Sequence, residues 1–324
     1  MKRLFFTIAF LGYSIYSFNF FEEILIIKPT ASSAGISACM NLNDPVSNIV
    51  VNPANIHSEK SIISASYYSI LNNMVSNFSF SFLSKTSKNS FLWKNLKINN
   101  LGVSVFYNLT EVTDTSNLEF YDMDSDGIKD PQEEVIYDKD KLFNVVNSNF
   151  FSCISFSRKL KDISFGFSLK YLLSKLHNNS SYSISTDIAL SYKIKKLSFT
   201  GKLNNILNSS ILWNTGLKEK IQPSYEVGVA NLFRLSRDLA CLLAFDFGSF
   251  FGGCYSLGAE LKFKEKYSLR GGISKVSVSN TYSSDFVSVG LGMVLKENLI
   301  LDYATKFSSY FTGNIHFFNL MYSF

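Results

Sequence analysis

The sequence predicts an all-β chain, an antiparallel transmembrane β-barrel of about fourteen strands with an irregular N-terminal plug segment. Three observations predict it. From residue 61 onward, apolar residues alternate with small or polar ones almost without a break, the period of strands with one greasy face. The 324 residues include 31 Phe and 17 Tyr but only 5 Pro, and 46% are apolar against 18% charged. That composition suits many half-greasy strands and suits a helical globule poorly. The third observation is the end of the chain, Gly313 to Phe324, where Phe318, Leu320, Tyr322 and Phe324 alternate with Phe317, Asn319, Met321 and Ser323.

Taken in order, Met1-Lys2-Arg3 followed by Leu4 to Tyr16 reads as the basic and apolar regions of a secretory signal peptide, residues 1–17, removed after Ser17. The apolar stretch is short of the roughly 18 to 20 residues a spanning helix needs. No later segment supplies such a run, so an exported chain of this kind is either soluble beyond the inner membrane or a barrel in an outer one. Residues 18–60 show no sustained period and are punctuated by Pro29, Pro45 and Pro53; they form the leader or plug. Ile36-Ser-Ala-Cys39 has the form of a lipoprotein cleavage box, but Glu22, Glu23 and Lys28 separate it from the apolar core, which argues against lipidation. Cys39, Cys153, Cys241 and Cys254 lie far apart, as isolated small apolar residues do, with no metal spacing.

The barrel, residues 61–324, divides into strands near 62–70, 75–84, 101–110, 149–158, 163–176, 182–194, 197–205, 222–233, 237–247, 253–263, 266–276, 283–295, 298–307 and 313–324. In the fifth, Ile163, Phe165, Phe167, Leu169 and Tyr171 alternate with Ser164, Gly166, Ser168 and Lys170. An even count puts both chain ends on one side. Connections after even strands are mostly tight and charged, as at Lys195-Lys196 and Lys296-Glu297, whereas those after odd strands include the longest. That is the asymmetry of periplasmic turns and outer loops, with Ser84 to Asn100 as the exception. A soluble β-sandwich would also alternate, with its greasy face inward. Two features count against it: strands of ten or more residues, and an opposite face crowded with Gly, Ser and single charges, as in a lumen.

Two constellations stand out among the polar residues. Asp122, Asp124, Asp126, Ile128, Asp130 and Glu133, with Gly127 at the turn, space oxygen ligands as a Ca²⁺ loop does. Lys129 at the usual apolar position and Pro131 depart from an EF-hand, and a solvated acidic turn is the alternative. Calcium there would brace an outer loop. The inward charges Lys170, Asp187, Glu226, Asp246, Glu260, Lys262, Arg270 and Asp302 form either a polar conduit or, the reading favoured here, ion pairs bracing a plugged lumen. The net charge of +5 is interspersed, so nucleic acid is not implied as a partner. His57, His177 and His316 are scattered and no nucleophile motif accompanies them, which speaks against an enzyme.

The final strand resembles the closing strand of bacterial outer-membrane barrels, whose terminal aromatic is part of the signal to the barrel-assembly machinery. Phe318, Leu320, Tyr322 and Phe324 would carry that signal and face outer-membrane lipid. Ala38, Asp44 and Asn52-Pro53-Ala54, together with Gly166-Phe-Ser-Leu-Lys-Tyr171, Leu203-Asn-Asn-Ile206, Gly258-Ala-Glu-Leu-Lys262, Leu269-Arg-Gly-Gly272, Val289-Gly-Leu-Gly292 and Leu301-Asp-Tyr-Ala304, resemble the PorV/PorQ-like family, relatives of the FadL fatty-acid transporters. The resemblance departs at Ile36, Ser37, Pro45, Val51 and Asn55. It implies a fourteen-stranded barrel with the leader as a plug around Asp44, Asn52, Pro53 and Ala54. It also implies one of two roles: passage of hydrophobic or amphipathic small molecules across the outer membrane, or a PorV-like plugged barrel serving secreted proteins at the cell surface.

Overall fold

The computed structural model describes residues 29–38, 40–42, 44–70, 75–87, 90–114, 143–176, 178–207, 209–249, 253–277, 283–308 and 314–324. The expected signal peptide, Cys39, the Ca²⁺-type loop and His177 lie outside them. Sixteen strands follow one another: β1 (Ile62–Ile70), β2 (Val75–Lys85), β3 (Asn100–Asp114), β4 (Phe143–Leu160), β5 (Ile163–Leu176), β6 (Asn179–Ile194), β7 (Leu197–Asn204), β8 (Ser210–Trp213), β9 (Lys218–Lys220), β10 (Ser224–Arg234), β11 (Leu239–Gly248), β12 (Cys254–Phe263), β13 (Tyr267–Ser277), β14 (Ser283–Lys296), β15 (Leu299–Ser308) and β16 (Asn314–Ser323).

All of these except β8 and β9 form a closed antiparallel ring of fourteen strands, as expected, with β7 pairing directly with β10. Closure is made by β1 and β16, in register from Ile62 opposite Ser323 to Ser69 opposite His316. The Ser61 and Phe324 backbones exchange hydrogen bonds of 2.9 and 3.1 Å, so the ladder runs to the last residue. Closure leaves the ring no unpaired edge, which is the condition for strands in lipid. Strand β5 shows the period plainly: Leu169 is 41% exposed, whereas Lys170 beside it, on the opposite face, is 2% exposed. Tyr192, Phe263, Tyr267 and Tyr322 are exposed near the short-turn end, and Tyr107, Tyr171, Tyr182 and Tyr255 toward the other, as interfacial belts require. No helix among the described residues is long and apolar enough to cross a membrane.

Two elements differ from the expectation. The connection after β7 carries a hairpin, β8 and β9, whose first strand pairs with Ser181–Ser183 of β6 and extends the wall on the long-loop side. Strands of four and three residues are too short to show a period. The long link after β2 contains a short helix, Leu92–Leu96, which accounts for a turn of unusual length at the otherwise tight end.

The leader lies inside the ring. Helix α1 (Ala31–Ile36) begins at Thr30, which caps it and forms a capping box with Ser33, and α2 (Asn48–Val51) leads to a 3₁₀ turn at Pro53–Asn55. Ala31, Ala34, Ile36, Met40, Ile49 and Ile56 are fully buried. Ile49 and Ile56 pack against Leu83, Phe106, Phe151 and Leu172, while Ala31 and Ala34 pack against Tyr68, Ala304, Ile315 and Phe317. The inward face is therefore partly apolar where it meets the plug.

Candidate functional site

The plug is shaped by its own polar side chains before the wall touches it. The Asp44 carboxylate accepts hydrogen bonds from Thr30 Oγ1 at 2.7 Å, from the Ser32 hydroxyl, and from the Val46 and Ser47 amides at 3.1 and 3.2 Å. It thereby ties the start of α1 to the turn before α2. A buried carboxylate requires this density of donors. Asn52 does the corresponding work downstream. Its Nδ2 donates to the Met40 carbonyl at 2.5 Å and its Oδ1 accepts from the Ala54 amide at 3.2 Å. Pro53 opens the 3₁₀ turn, and Ala54 lies where the plug backbone meets β5.

That meeting is close enough to require glycine in the wall. A Cβ on Gly166 would lie 2.1 Å from the Ala54 amide nitrogen, and one on Gly258 would lie 1.9 Å from the Ile36 carbonyl oxygen. The strand phrases of the sequence thus act in three dimensions: their glycines Gly166, Gly258, Gly272 and Gly290 are seats for plug backbone. Periodicity alone assigns Gly166 and Gly258 to the inward face. It does not say that another backbone arrives there.

The inward charges gather in two braces. Asp187 pairs with Lys170 at 2.5 Å and with Lys202 at 3.0 Å, and accepts the Asn205 amide at 3.1 Å. Lys202 also donates to the Val50 carbonyl of the plug at 3.0 Å, so this brace fixes α2 to the wall. On the other side Arg270 bridges Glu260 at 2.8 Å and Asp302 at 2.5 Å, and Lys262 stands 3.6 Å from Glu260. Asp246 accepts the Met40 amide at 3.0 Å, a direct wall-to-plug bond, and Glu226 accepts from Asn204 at 3.1 Å. Lys202 is absent from the charges singled out above, although Leu197, Phe199, Gly201 and Leu203 alternate with Ser198, Thr200, Lys202 and Asn204 and so mark it as inward.

Beyond the plug on the long-loop side is a chamber of about 100 Å³ floored by Val50, Val51, Lys170 and Lys202 and walled by Val276, Phe286, Ile315 and Phe317. On the short-turn side a vestibule of about 390 Å³ opens beneath Asn41, Leu42, Asn55 and His57. The plug separates them. His57 bonds Ser164 at 2.9 Å, and burial, together with the nearby Lys159 ammonium, holds its imidazole below the usual histidine value. Phe318, Leu320, Tyr322 and Phe324 lie on the outward face and are exposed. Cys153, Cys241 and Cys254 form no disulfide.

No protein-family model matches the chain, and no curated protein matches it. Solved structures do. The Pseudomonas putida toluene transporter TodX aligns with a TM-score of 0.55 at 9% identity, covering 86% of this chain and 94% of that one. A Pseudomonas aeruginosa FadL homologue aligns with a TM-score of 0.54 at 9% identity, covering 91% and 98%. A TodX mutant described as a monoaromatic hydrocarbon channel aligns with a TM-score of 0.56 at 11% identity, covering 91% and 97%. The chain thus has the fold of FadL-like outer-membrane barrels.

Proposed function

We propose that this chain is an outer-membrane channel for hydrophobic or amphipathic small molecules, closed at rest by the segment from Thr30 to His57 and opened by its displacement. The observation that carries this reading is the pair of chambers on either side of the plug: the axial route is interrupted by one segment of chain. The outer chamber combines apolar walls with the Lys170 and Lys202 ammoniums, a lining suited to a molecule with a greasy body and a polar head. The route is axial. Between β7 and β10 the ladder is unbroken from Ser224 opposite Asn204 to Asn231 opposite Leu197, so the apolar recess of about 400 Å³ beside Gly201 is a dent in the outer surface. The structural neighbours named for hydrocarbon transport support the same reading.

The test is uptake of a labelled fatty acid and of toluene by liposomes carrying the wild-type chain or a deletion of residues 32–56. Transport by the wild type, faster in the deletion, is expected. Failure of both proteins to pass either substrate would sink the proposal.

A second reading is favoured by the closeness of the fit. With Ala54 against Gly166 and Ile36 against Gly258, the plug has little room to move as a body. On that reading the barrel resembles PorV-like members and its long-loop end carries secreted proteins. Loss of an exported protein from the cell surface on removal of this chain, with lipid uptake unaltered, would select it. The expected Ca²⁺ loop, Asp122 to Glu133, falls in the sequence between β3 and β4, and calorimetric titration of the full chain with Ca²⁺, against an Asp124→Asn/Asp126→Asn variant, tests whether it binds metal.

A further inference from the structure

The short-turn end is strongly cationic on its inner side. The vestibule beneath the plug is lined by Lys159, Lys161, Lys193, Lys196, Arg234 and Lys262, against the carboxylates Asp162, Glu260 and Glu265. Of these carboxylates, Glu260 is already engaged by Arg270. Among the described residues no ion pair joins Lys159, Lys161, Lys193, Lys196 or Arg234 to a carboxylate.

Lys159, Lys193 and Lys262 point at the barrel axis and not at the surrounding leaflet, and Lys161, Lys196 and Arg234 line the same mouth. Lys193 stands two residues from buried Ser191, Lys159 two from buried Ser157, and Lys262 two from buried Glu260, so each shares the inward face of its strand. Side chains on the ends of β4, β6, β10 and β12 and in the turns before β5 and β7 thus converge on one mouth. Like charges brought together in this way destabilise one another until a counter-charge arrives. Burial first, and then the Lys159 ammonium, disfavour the protonated form of His57 at the roof of the same mouth.

We propose that this vestibule is a binding site for a small multivalent anion, a phosphate ester or a polycarboxylate, entering from the short-turn side. The net excess of cations calls for two or three negative charges in one ligand, and the cavity of about 390 Å³ is the size of a small-molecule site. Lysines bind such a group as adjustable point charges and impose little geometry on it. Because Asn55 and His57 of the plug form the roof, the bound anion bridges the plug's tail to the rim. The site does not rest on the transport reading, and it stands or falls separately from it.

The experiment uses the full chain in detergent at fixed ionic strength, titrated calorimetrically with inorganic pyrophosphate. Saturable binding of one anion per chain is expected, weakened about a hundredfold in Lys159→Gln/Lys193→Gln/Lys196→Gln, given roughly 1 kcal/mol for each of the lost charge contacts in water. The variant Lys94→Gln/Lys97→Gln/Lys264→Gln, which removes cations of the same end outside the vestibule, should bind as wild type. Heat-modifiable electrophoretic mobility verifies that each variant is folded. Absence of saturable binding, an unweakened first variant, or equal weakening in the second overturns the proposal. Repeating the titration in nanodiscs with and without phosphatidylglycerol distinguishes the source of the anion: competition by the lipid identifies a headgroup in the site, and its absence a free anion.

Discussion

Asp187 holds two ammoniums, Lys170 and Lys202, inside the lumen, and all three side chains are at least nine-tenths buried. Such a brace contributes little net stability relative to apolar packing, but breaking it strands two cations away from water. Asp187→Asn should therefore cost about 3–5 kcal/mol, seen as a lower urea midpoint for unfolding from lipid vesicles. Gly166→Ala places a methyl against the plug backbone and should cost about 1–3 kcal/mol. Its signature is specific: cleavage within residues 30–57 by added protease should quicken while the ring stays intact, and unchanged protection would refute the seating role. His57 supplies a pH dependence. Its imidazole is held neutral by burial and by Lys159, with Ser164, Asn100 and, across the mouth, Lys161, Asp162, Lys193 and Lys196 as its polar surroundings. The unfolded chain then takes up the proton first. Stability should be level above the ordinary value of 6.5 and fall as pH drops below it, flattening once folded His57 is protonated. The difference between wild type and His57→Gln across that interval isolates the effect from titrating carboxylates.

At the scale of elements, strands and plug obey different rules. A ring strand is specified by alternation against two environments, lipid and lumen, so reversing one outward residue is costly. Phe167→Arg, near the middle of β5, should destabilise by about 2–4 kcal/mol if the band faces bilayer core, and a change within experimental error would argue for water there. For the closing strand we propose an assembly requirement as well. Phe324 ends a ladder that Ser61 completes, and Phe324→Asp should reduce the fraction of barrel recovered in membranes in its heat-modifiable form. Unchanged insertion would remove the terminal aromatic from the assembly signal. The plug, by contrast, has no period. It is held by a capped helix, the Asp44 hub, the Asn52 clamp and glycine seats.

At the scale of the molecule, a ring of fourteen strands is wide enough to need filling, and here a segment of about thirty residues, with two charge braces, fills it. Removing residues 32–56 should convert a closed barrel into a conducting one in planar bilayers. The deletion also leaves Lys202 and Asp246 without the plug groups they hold, the Val50 carbonyl and the Met40 amide, so some loss of stability should accompany the opening. The cationic short-turn mouth is a property of the same scale, since each tight turn carries only a few charges that gather when the ring closes.

The sequence by itself determined the ring. Period two over many strands, the closing aromatic strand and the alternation of tight and long connections are local signals, set by the demand that one face of each strand meet lipid and that no edge remain unpaired. It determined that Lys170, Asp187, Arg270 and Asp302 point inward, because a period of two leaves no other choice. Only the tertiary structure decided who meets whom across the lumen: that Asp187 serves Lys202 as well as Lys170, that Gly166 receives Ala54, and that Asp44 and Asn52 hold the plug's own shape. The reason is physical. Strand faces follow from neighbours two residues away, whereas the plug is shaped by contacts with strands up to some 250 residues distant, such as Ser288 with Gly35, and no local pattern records a contact of that separation.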